Sequence, residues 1–185
     1  SPEVGRAMLF KKTRLEGVRL MELEPHHDER GFFARTFCER EFSGEGLVTK
    51  FAQHGMSLTA RAGSVRGMHD QRDPHAEVKL IRCVAGAIHD VLIDLRPASP
   101  TYLQWEAYLL SASNRRQLYA PAGFAHGFQT LEPNTGVGYL LWAFYAPEAA
   151  TGIRHDDPAF AIPWPLPVAD ISVRDRSWPA FTPGP

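Results

Sequence analysis

The sequence predicts an all-β protein, a sandwich or closed barrel of the jelly-roll type with a few short peripheral helices. Three observations predict it. The 185 residues include 15 glycines and 15 prolines, which are spread along the chain and divide it into short segments. Several of these segments alternate apolar and polar residues, as half-buried strands do. Only one stretch, CEREFSGEG (38–46), indicates a helix, so the pattern of a parallel sheet with alternating helices is missing.

The clearest strand is EVKLIRCVAG (77–86). It places Leu80 and Val84 on one face and Lys79, Ile81 and Cys83 on the other. The segment AIHDVLIDLR (87–96) follows directly after a glycine and is predicted to form a hairpin with it. Further strands are predicted at 101–111, 116–131 and 136–147. In the proline-rich residues 160–185, only ADISVRD (169–175) carries a strand signal.

Composition places the chain among ordinary globular proteins, with 44% apolar and 22% charged residues, and predicts one domain over residues 1–185. A net charge of −1 gives no general attraction for nucleic acid or an anionic membrane, so neither partner is expected. There is no apolar run of about 18 residues and no signal-peptide pattern. Two cysteines, Cys38 and Cys83, are too few for a disulfide framework and favour a reducing, cytoplasmic setting. Within the N-terminal segment (1–14), Met8 is an alternative natural start, which leaves residues 1–7 as either native or added.

Two histidines raise the question of a metal. VRGMH ends at His69 and PAGFAH ends at His126. A metal-binding β-barrel would carry a second histidine two residues after the first, but Gln71 stands there. Strand alternation places Asp70 on the opposite face. Since a tightly bound transition metal needs three or more converging ligands, no metal is predicted, and the histidines remain either packed core residues or proton-transfer groups.

Other candidate residues have both a structural and a functional reading. Lys79 shares a face with apolar residues, so it either reaches solvent or needs a negative partner inside the protein. Tyr139 and Tyr145 share a face of one strand, which suits packing or a site. Arg30 in DERGFF and Arg66 in VRGMH each precede a glycine. Arginine is well suited to phosphate oxygens, although a surface ion pair is the simpler reading.

Five blocks together resemble a known family, the dTDP-4-dehydrorhamnose 3,5-epimerases, which are metal-free members of the cupin superfamily. The blocks are DERGFF, VRGMH, KLIRCVAGAIHDVLIDLR, SPTYLQWEAYLLSASNRRQLYAPAGFAHGF and YAPE, and the resemblance runs from about Leu15 to Pro179. It implies a cupin-like jelly roll, a homodimer and no cofactor. The implied substrate is a nucleotide-diphosphate-linked 4-keto-6-deoxyhexose, inverted at C3, C5 or both. The C-terminal extension, residues 160–185, is expected to contribute to the active site.

The resemblance also implies catalytic roles. His69 corresponds to the base, Asp175 to the aspartate that orients it, Tyr145 to the acid on the opposite face of the sugar, and Lys79 to the lysine beside the enolate. Imidazole suits the base role because its ordinary pKa of about 6.5 lies near neutral pH. The expected substrate-binding residues are Arg30, Gln53, Arg66, His126, Tyr139 and Arg174.

The sequence departs from the family pattern mainly away from this chemistry. Gly55 and Met56 replace an Asn-His pair, Arg35 replaces an acidic residue, and Asp70 follows the histidine of VRGMH. These departures leave alternatives open. The nucleotide could be CDP or GDP, one carbon alone could be inverted, the ketone could move between C3 and C4, or the chain could bind a sugar nucleotide without turnover.

Overall fold

The computed structural model describes residues 8–184, and within them it contains two large sheets, one small hairpin and two short helices. The question whether residues 1–7 are native lies outside the described residues. Sheet 1 has the order β1 (Met8–Lys12), β2 (Arg19–Leu23), β10 (Gln117–Ala120), β7 (Lys79–Ala85), β12 (Thr135–Leu141) and β5 (Gln53–Thr59). Sheet 2 has the order β13 (Ala150–Gly152), β6 (Ser64–Gln71), β11 (Phe124–Thr130), β8 (Ala87–Asp94) and β9 (Trp105–Ser111), and β14 (Asp170–Ile171) pairs with β6. The remaining elements are the hairpin of β3 (His26–Asp28) and β4 (Gly31–Phe33), and the helices α1 (Glu39–Gly44) and α2 (Val173–Arg176).

The two sheets pack face to face, which confirms the all-β prediction. Ile81 and Cys83 of sheet 1 lie in one buried cluster with Ile88, Leu92 and Phe128 of sheet 2. All ladders are antiparallel except the short pairing of β14 with β6. Of the two possibilities left open for Lys79, the structure shows the buried one, since Lys79 shares the inward face of β7 with Ile81 and Cys83.

The outer face of each sheet is also partly covered. Phe42 of α1 packs with residues of β1, β2, β7 and β10 against sheet 1. Phe160 and Ile162, from the proline-rich C-terminal segment, pack against Val91 and Ile93 of sheet 2. Because β8 and β11 are buried on both faces, their sequences show no strict alternation of apolar and polar residues.

Three predicted strands differ in extent. Residues 116–131 form two strands, β10 and β11, because Pro121 has no N–H to donate and Gly123 adopts a φ of +88°. The strand predicted at 136–147 ends at Leu141, and the one predicted at 101–111 begins at Trp105. The helix predicted at 38–46 is confirmed as α1.

The segment ADISVRD is a strand only over its two residues in β14. The Ser172 side chain then accepts a hydrogen bond from the Asp175 backbone N–H at 3.1 Å, which caps α2 and ends the strand. The turn into α2 fixes where Asp175 lies. Within residues 8–184, neither helix is long or apolar enough to cross a membrane.

Candidate active site

A cavity of about 290 Å³ is lined by residues of both sheets. Its walls come from β5, β7 and β12 of sheet 1, from β6, β11 and β13 of sheet 2, from α2, and from the loops beside them. Seven of the ten residues predicted for the site line this cavity: Arg66, His69, Lys79, His126, Tyr139, Tyr145 and Arg174.

His69 is held by a buried carboxylate behind it. Its Nε2 lies 2.7 Å from Asp175 Oδ1, and the second oxygen, Oδ2, accepts from the Gly67 backbone N–H at 3.0 Å. Burial raises the pKa of Asp175, but the hydrogen bond and charge of His69 and the Gly67 N–H outweigh it, so the pKa is lowered overall. Since a carboxylate only accepts hydrogen bonds, neutral His69 carries its proton on Nε2. The lone pair of Nδ1 is then the one left to accept a proton.

Tyr145 stands in the loop after β12 and lines the same cavity as His69. The residue is 56% exposed, and its hydroxyl accepts a hydrogen bond from Arg174 Nη1 at 3.4 Å. Its backbone N–H donates to Gln53 Oε1 at 3.0 Å. The cavity therefore holds both a proton acceptor and a phenol donor.

Lys79 lies among carboxylates in the cavity wall. The residue is 9% exposed, and its Nζ is 3.5 Å from Glu77 Oε1, so Glu77 is the negative partner that a buried ammonium requires. Asp70 lines the cavity as well, and burial raises its pKa to about 6 against the opposing charge of Lys79.

The expectation that Asp70 would leave on the face opposite His69 is wrong. Strict alternation holds for a regular strand inside a sheet. β6 ends at Gln71, one residue after Asp70, and the cavity lies at this end of the strand. The consecutive residues His69 and Asp70 therefore both line it.

His126 is fixed more rigidly than His69. Its Nε2 lies 2.6 Å from Asp90 Oδ1, and both side chains are almost fully buried. Its neighbour Tyr139 shares a hydrogen bond with Ser57 Oγ at 3.2 Å, and burial raises the pKa of Tyr139 to about 12. His126 and Tyr139 form a polar part of the cavity wall.

The predicted substrate-binding residues divide by position. Arg66 lines the cavity and donates to Thr59 Oγ1 at 2.9 Å. Gln53 is bonded to the Tyr145 backbone beside the cavity and is not part of its lining. Arg30 lies in the β3–β4 hairpin, where its side chain is 86% exposed and forms an ion pair with Asp28 at 2.6 Å, and it does not line this cavity.

Sequence reasoning assigned no role in the site to Asp70, Gln71 and Glu77, which line the cavity, nor to Asp90, which is bonded to His126. Asp90 had a usable signal, because a carboxylate inside the apolar run AIHDVLID must find a hydrogen-bond partner if it is buried. Among residues 8–184, no group of three or more His, Cys, Asp or Glu side chains is placed to hold a metal ion.

This arrangement suits proton transfer at a carbon atom. A base with one free nitrogen and a phenol line one cavity, and an ammonium group lies in its wall, where it can offset negative charge that develops during reaction. Two arginines, Arg66 and Arg174, add positive charge to the lining.

Comparison with known proteins identifies close relatives. The profile of the dTDP-4-dehydrorhamnose 3,5-epimerase family matches residues 12–183. The chain is 44% identical over 172 residues to a dTDP-4-dehydrorhamnose 3,5-epimerase of Methanothermobacter thermautotrophicus, covering 91% of this chain and 92% of the relative.

Solved structures give the same result. The enzyme of that name from Bacillus anthracis, solved with TDP and PPi bound, superimposes with a TM-score of 0.92 at 41% identity, over 95% of this chain and 100% of that one. A dTDP-6-deoxy-D-glucose-3,5-epimerase from Legionella pneumophila, in complex with dTDP-4-keto-L-rhamnose, has a TM-score of 0.85 at 35% identity, over 91% and 89% of the two chains.

Proposed function

This chain belongs to the dTDP-4-dehydrorhamnose 3,5-epimerase family, and on that premise we propose that it is an isomerase that inverts C3 and C5 of a dTDP-linked 4-keto-6-deoxyhexose. The observation that supports it most directly is the pairing of His69 and Tyr145 in one cavity, with Asp175 bonded behind the histidine. Inversion at carbon requires these two kinds of group, a base and an acid that act on opposite faces.

The proposed reaction begins at His69. A ketone at C4 acidifies the C–H bonds at C3 and C5, and Nδ1 removes one of these protons. The bond electrons move to the C4 oxygen and form an enolate. The resulting imidazolium is stabilised by the Asp175 carboxylate, 2.7 Å from Nε2. The substrate ketone is the electron sink.

Tyr145 completes the inversion. Its hydroxyl delivers a proton to the same carbon from the other face. The phenolate then recovers a proton from solvent, and the imidazolium of His69 releases its proton to solvent, which restores both groups. The Lys79 ammonium stabilises the enolate oxygen, a type of contribution worth about 10²–10³ in rate. Arg66 and Arg174 are assigned to the substrate's phosphates, and His126 and Tyr139 to its sugar.

The test is solvent exchange. The protein is incubated with dTDP-4-keto-6-deoxyglucose in deuterated water and followed by proton NMR. We expect deuterium at C3 and C5 and an inverted product, with neither from His69→Ala although that variant still binds TDP. Deuterium at one carbon only would restrict the proposal to a single centre, and exchange only with CDP- or GDP-linked sugars would change the nucleotide. No exchange with any of them would overturn it.

We also propose a homodimer in which Arg30 serves the site of the partner subunit. Arg30 does not line the cavity of its own chain, and Phe33 beside it and Met56 on the edge strand β5 are 66% and 76% exposed. Large contiguous apolar patches mark interfaces, and we assign these exposed residues to such a patch. We assign the protein to the cytoplasm, since Cys38 and Cys83 form no disulfide.

The dimer proposal is tested by mixing inactive variants. Separately purified His69→Ala and Arg30→Ala proteins are unfolded together and refolded, so that mixed dimers form. If Arg30 acts on the partner's site, each mixed dimer contains one site with both residues intact, and activity returns. Activity no higher than the two variants alone, or a monomeric mass by light scattering, would rule this out.

A further inference from the structure

Gln71 makes three hydrogen bonds from one buried amide. It is the last residue of β6 and is 5% exposed. Its Oε1 accepts from the Ala146 backbone N–H at 2.8 Å, and its Nε2 donates to the carbonyl oxygens of Phe144 at 3.3 Å and His75 at 2.8 Å. An amide is the side-chain group that can donate twice and accept at once in this way.

Two of these bonds hold the residues on either side of Tyr145. The carbonyl before Tyr145 and the N–H after it are both bound to Gln71, and the N–H of Tyr145 itself is bound to Gln53. Two glutamines therefore fix three backbone groups in consecutive residues. Gln71 lies 75 residues before Ala146 in the sequence, so this support comes from a distant part of the chain.

The loop needs this support because little else fixes the phenol. Tyr145 lies beyond the end of β12, so no strand ladder holds its backbone, and more than half of its surface is exposed. Its hydroxyl has one long hydrogen bond, to Arg174 at 3.4 Å. A displacement of about 1 Å at a reacting group typically costs about 10²-fold in rate.

We propose that Gln71 is a positioning residue for Tyr145, whose amide holds loop 144–146 so that the phenol reaches the sugar from the side opposite His69. The inference rests on the proposed function, in which Tyr145 returns the proton. It gives Gln71, the residue two positions after His69, a role in the acid half of the reaction, while His69 on the same strand carries out the base half.

The two halves can be measured separately. When His69 removes a proton, exchanges it with deuterated solvent and returns deuterium to the same face, the substrate gains deuterium without inversion. Inversion additionally requires Tyr145. The ratio of exchange into recovered substrate to formation of inverted product therefore reports the position of the phenol, and a general loss of folded protein leaves this ratio unchanged.

Gln129 provides a matched control. It is a fully buried glutamine on β11 whose Nε2 donates to the carbonyls of Leu166 at 2.8 Å and Gly63 at 3.3 Å, while its Oε1 accepts from the Leu166 N–H at 3.0 Å. It has the same bonding pattern and holds a segment that does not include Tyr145.

The experiment compares Gln71→Leu with Gln129→Leu, using saturating dTDP-4-keto-6-deoxyglucose in deuterated water. For Gln71→Leu we expect inversion to fall about 10²-fold, with exchange into substrate reduced by less than about tenfold, so the ratio rises at least about tenfold. Gln129→Leu should lower the thermal midpoint and leave the ratio at the wild-type value. Gln71→Glu keeps the acceptor for Ala146 but loses both donors, and it should also raise the ratio.

An unchanged ratio in the Gln71 variants, whatever their stability, would overturn the inference. If Gln71→Leu does not fold, as judged by circular dichroism, Gln71→Glu decides the question by the same ratio. Failure of the proposed function is distinguishable, because the wild-type protein would then show neither exchange nor inversion.

Discussion

Replacing Asp175 by asparagine should remove most of the activity while leaving the shape of the site intact. Both carboxylate oxygens accept hydrogen bonds, Oδ1 from His69 Nε2 at 2.7 Å and Oδ2 from the Gly67 N–H at 3.0 Å. An asparagine side chain has one acceptor oxygen and one donor NH₂ group. In either orientation, one of the two partners therefore faces a donor.

The cost follows from the two orientations. If the amide oxygen faces His69, the NH₂ group opposes the Gly67 N–H, and an unsatisfied buried donor costs about 1–3 kcal/mol. If the NH₂ group faces His69, then Nε2 must accept, the proton moves to Nδ1, and the free base is lost. In addition, the imidazolium loses a charge-assisted hydrogen bond worth about 1.5–3 kcal/mol. The reactive orientation carries the cost of the unsatisfied Gly67 N–H, and the transition state loses the charge-assisted bond. The two costs together raise the activation free energy by about 2.5–6 kcal/mol, which lowers the rate by about 10²–10⁴.

The assay is solvent exchange at C3 and C5, followed by NMR with saturating dTDP-4-keto-6-deoxyglucose. Exchange and inversion should fall together, because both depend on the base, and TDP affinity should change little. Asp156→Asn is the control, since Asp156 pairs with Arg154 at the surface. An Asp175→Asn protein that keeps more than about a tenth of the wild-type exchange rate would refute the assigned tautomer.

Three further predictions concern the cavity and its frame. In the fold, burial raises the pKa of Asp70 from 3.8 to about 6, so the ionised form destabilises the protein and the penalty grows as pH rises through that range, to about 3 kcal/mol. Asp70→Asn should therefore stabilise the protein in urea unfolding at pH 7.5 and much less at pH 4, and an equal gain at both would contradict this. Lys79→Met should lower exchange and inversion together by about 10²–10³, and a loss below tenfold would remove Lys79 from enolate stabilisation. Gly67→Ala should cost at least about 2 kcal/mol by urea unfolding, because Gly67 has a φ of +117° and a Cβ there would lie 2.6 Å from Gly127 Cα. Gly55→Ala, with nothing within 4 Å of the added Cβ, is the control, and equal effects of the two changes would contradict the packing argument.

The fold could be predicted where burial differs between the two faces of a strand. In β7 the alternation separated the face of Ile81 and Cys83, which proves to be the inward one, from that of Leu80 and Val84, and the glycine at 86 marked the turn into β8. The strands β3, β4 and β5 carry mostly exposed residues on both faces, so they show no alternation to detect. These segments become strands because they pair with neighbouring strands. That pairing is a property of the tertiary structure and not of the local sequence.

The site could be predicted where a residue stands inside a recognisable block, as His69, Lys79 and Tyr145 do. It could not be predicted where the chemistry depends on contacts between distant segments. Asp70 was assigned away from the site because strand alternation does not reveal that the cavity lies at the end of β6, where consecutive residues contribute to its lining. Gln71 gave only a negative signal in the sequence, that of a missing histidine, because its partners lie in loops around residues 75 and 145.

The end of β6 therefore joins the two halves of the proposed reaction. His69 faces the cavity with one nitrogen engaged by Asp175, and Gln71, two residues later on the same face, uses its amide to hold the loop of Tyr145. A neutral histidine at position 71 would have one N–H donor and one lone pair, so it could not donate to the carbonyls of both Phe144 and His75, and a metal would take the lone pair that could accept from the Ala146 N–H. Gln71 therefore takes the position where a metal-binding barrel would have its second histidine, and it uses that position to hold the acid loop while Nδ1 of His69 is left to accept a proton.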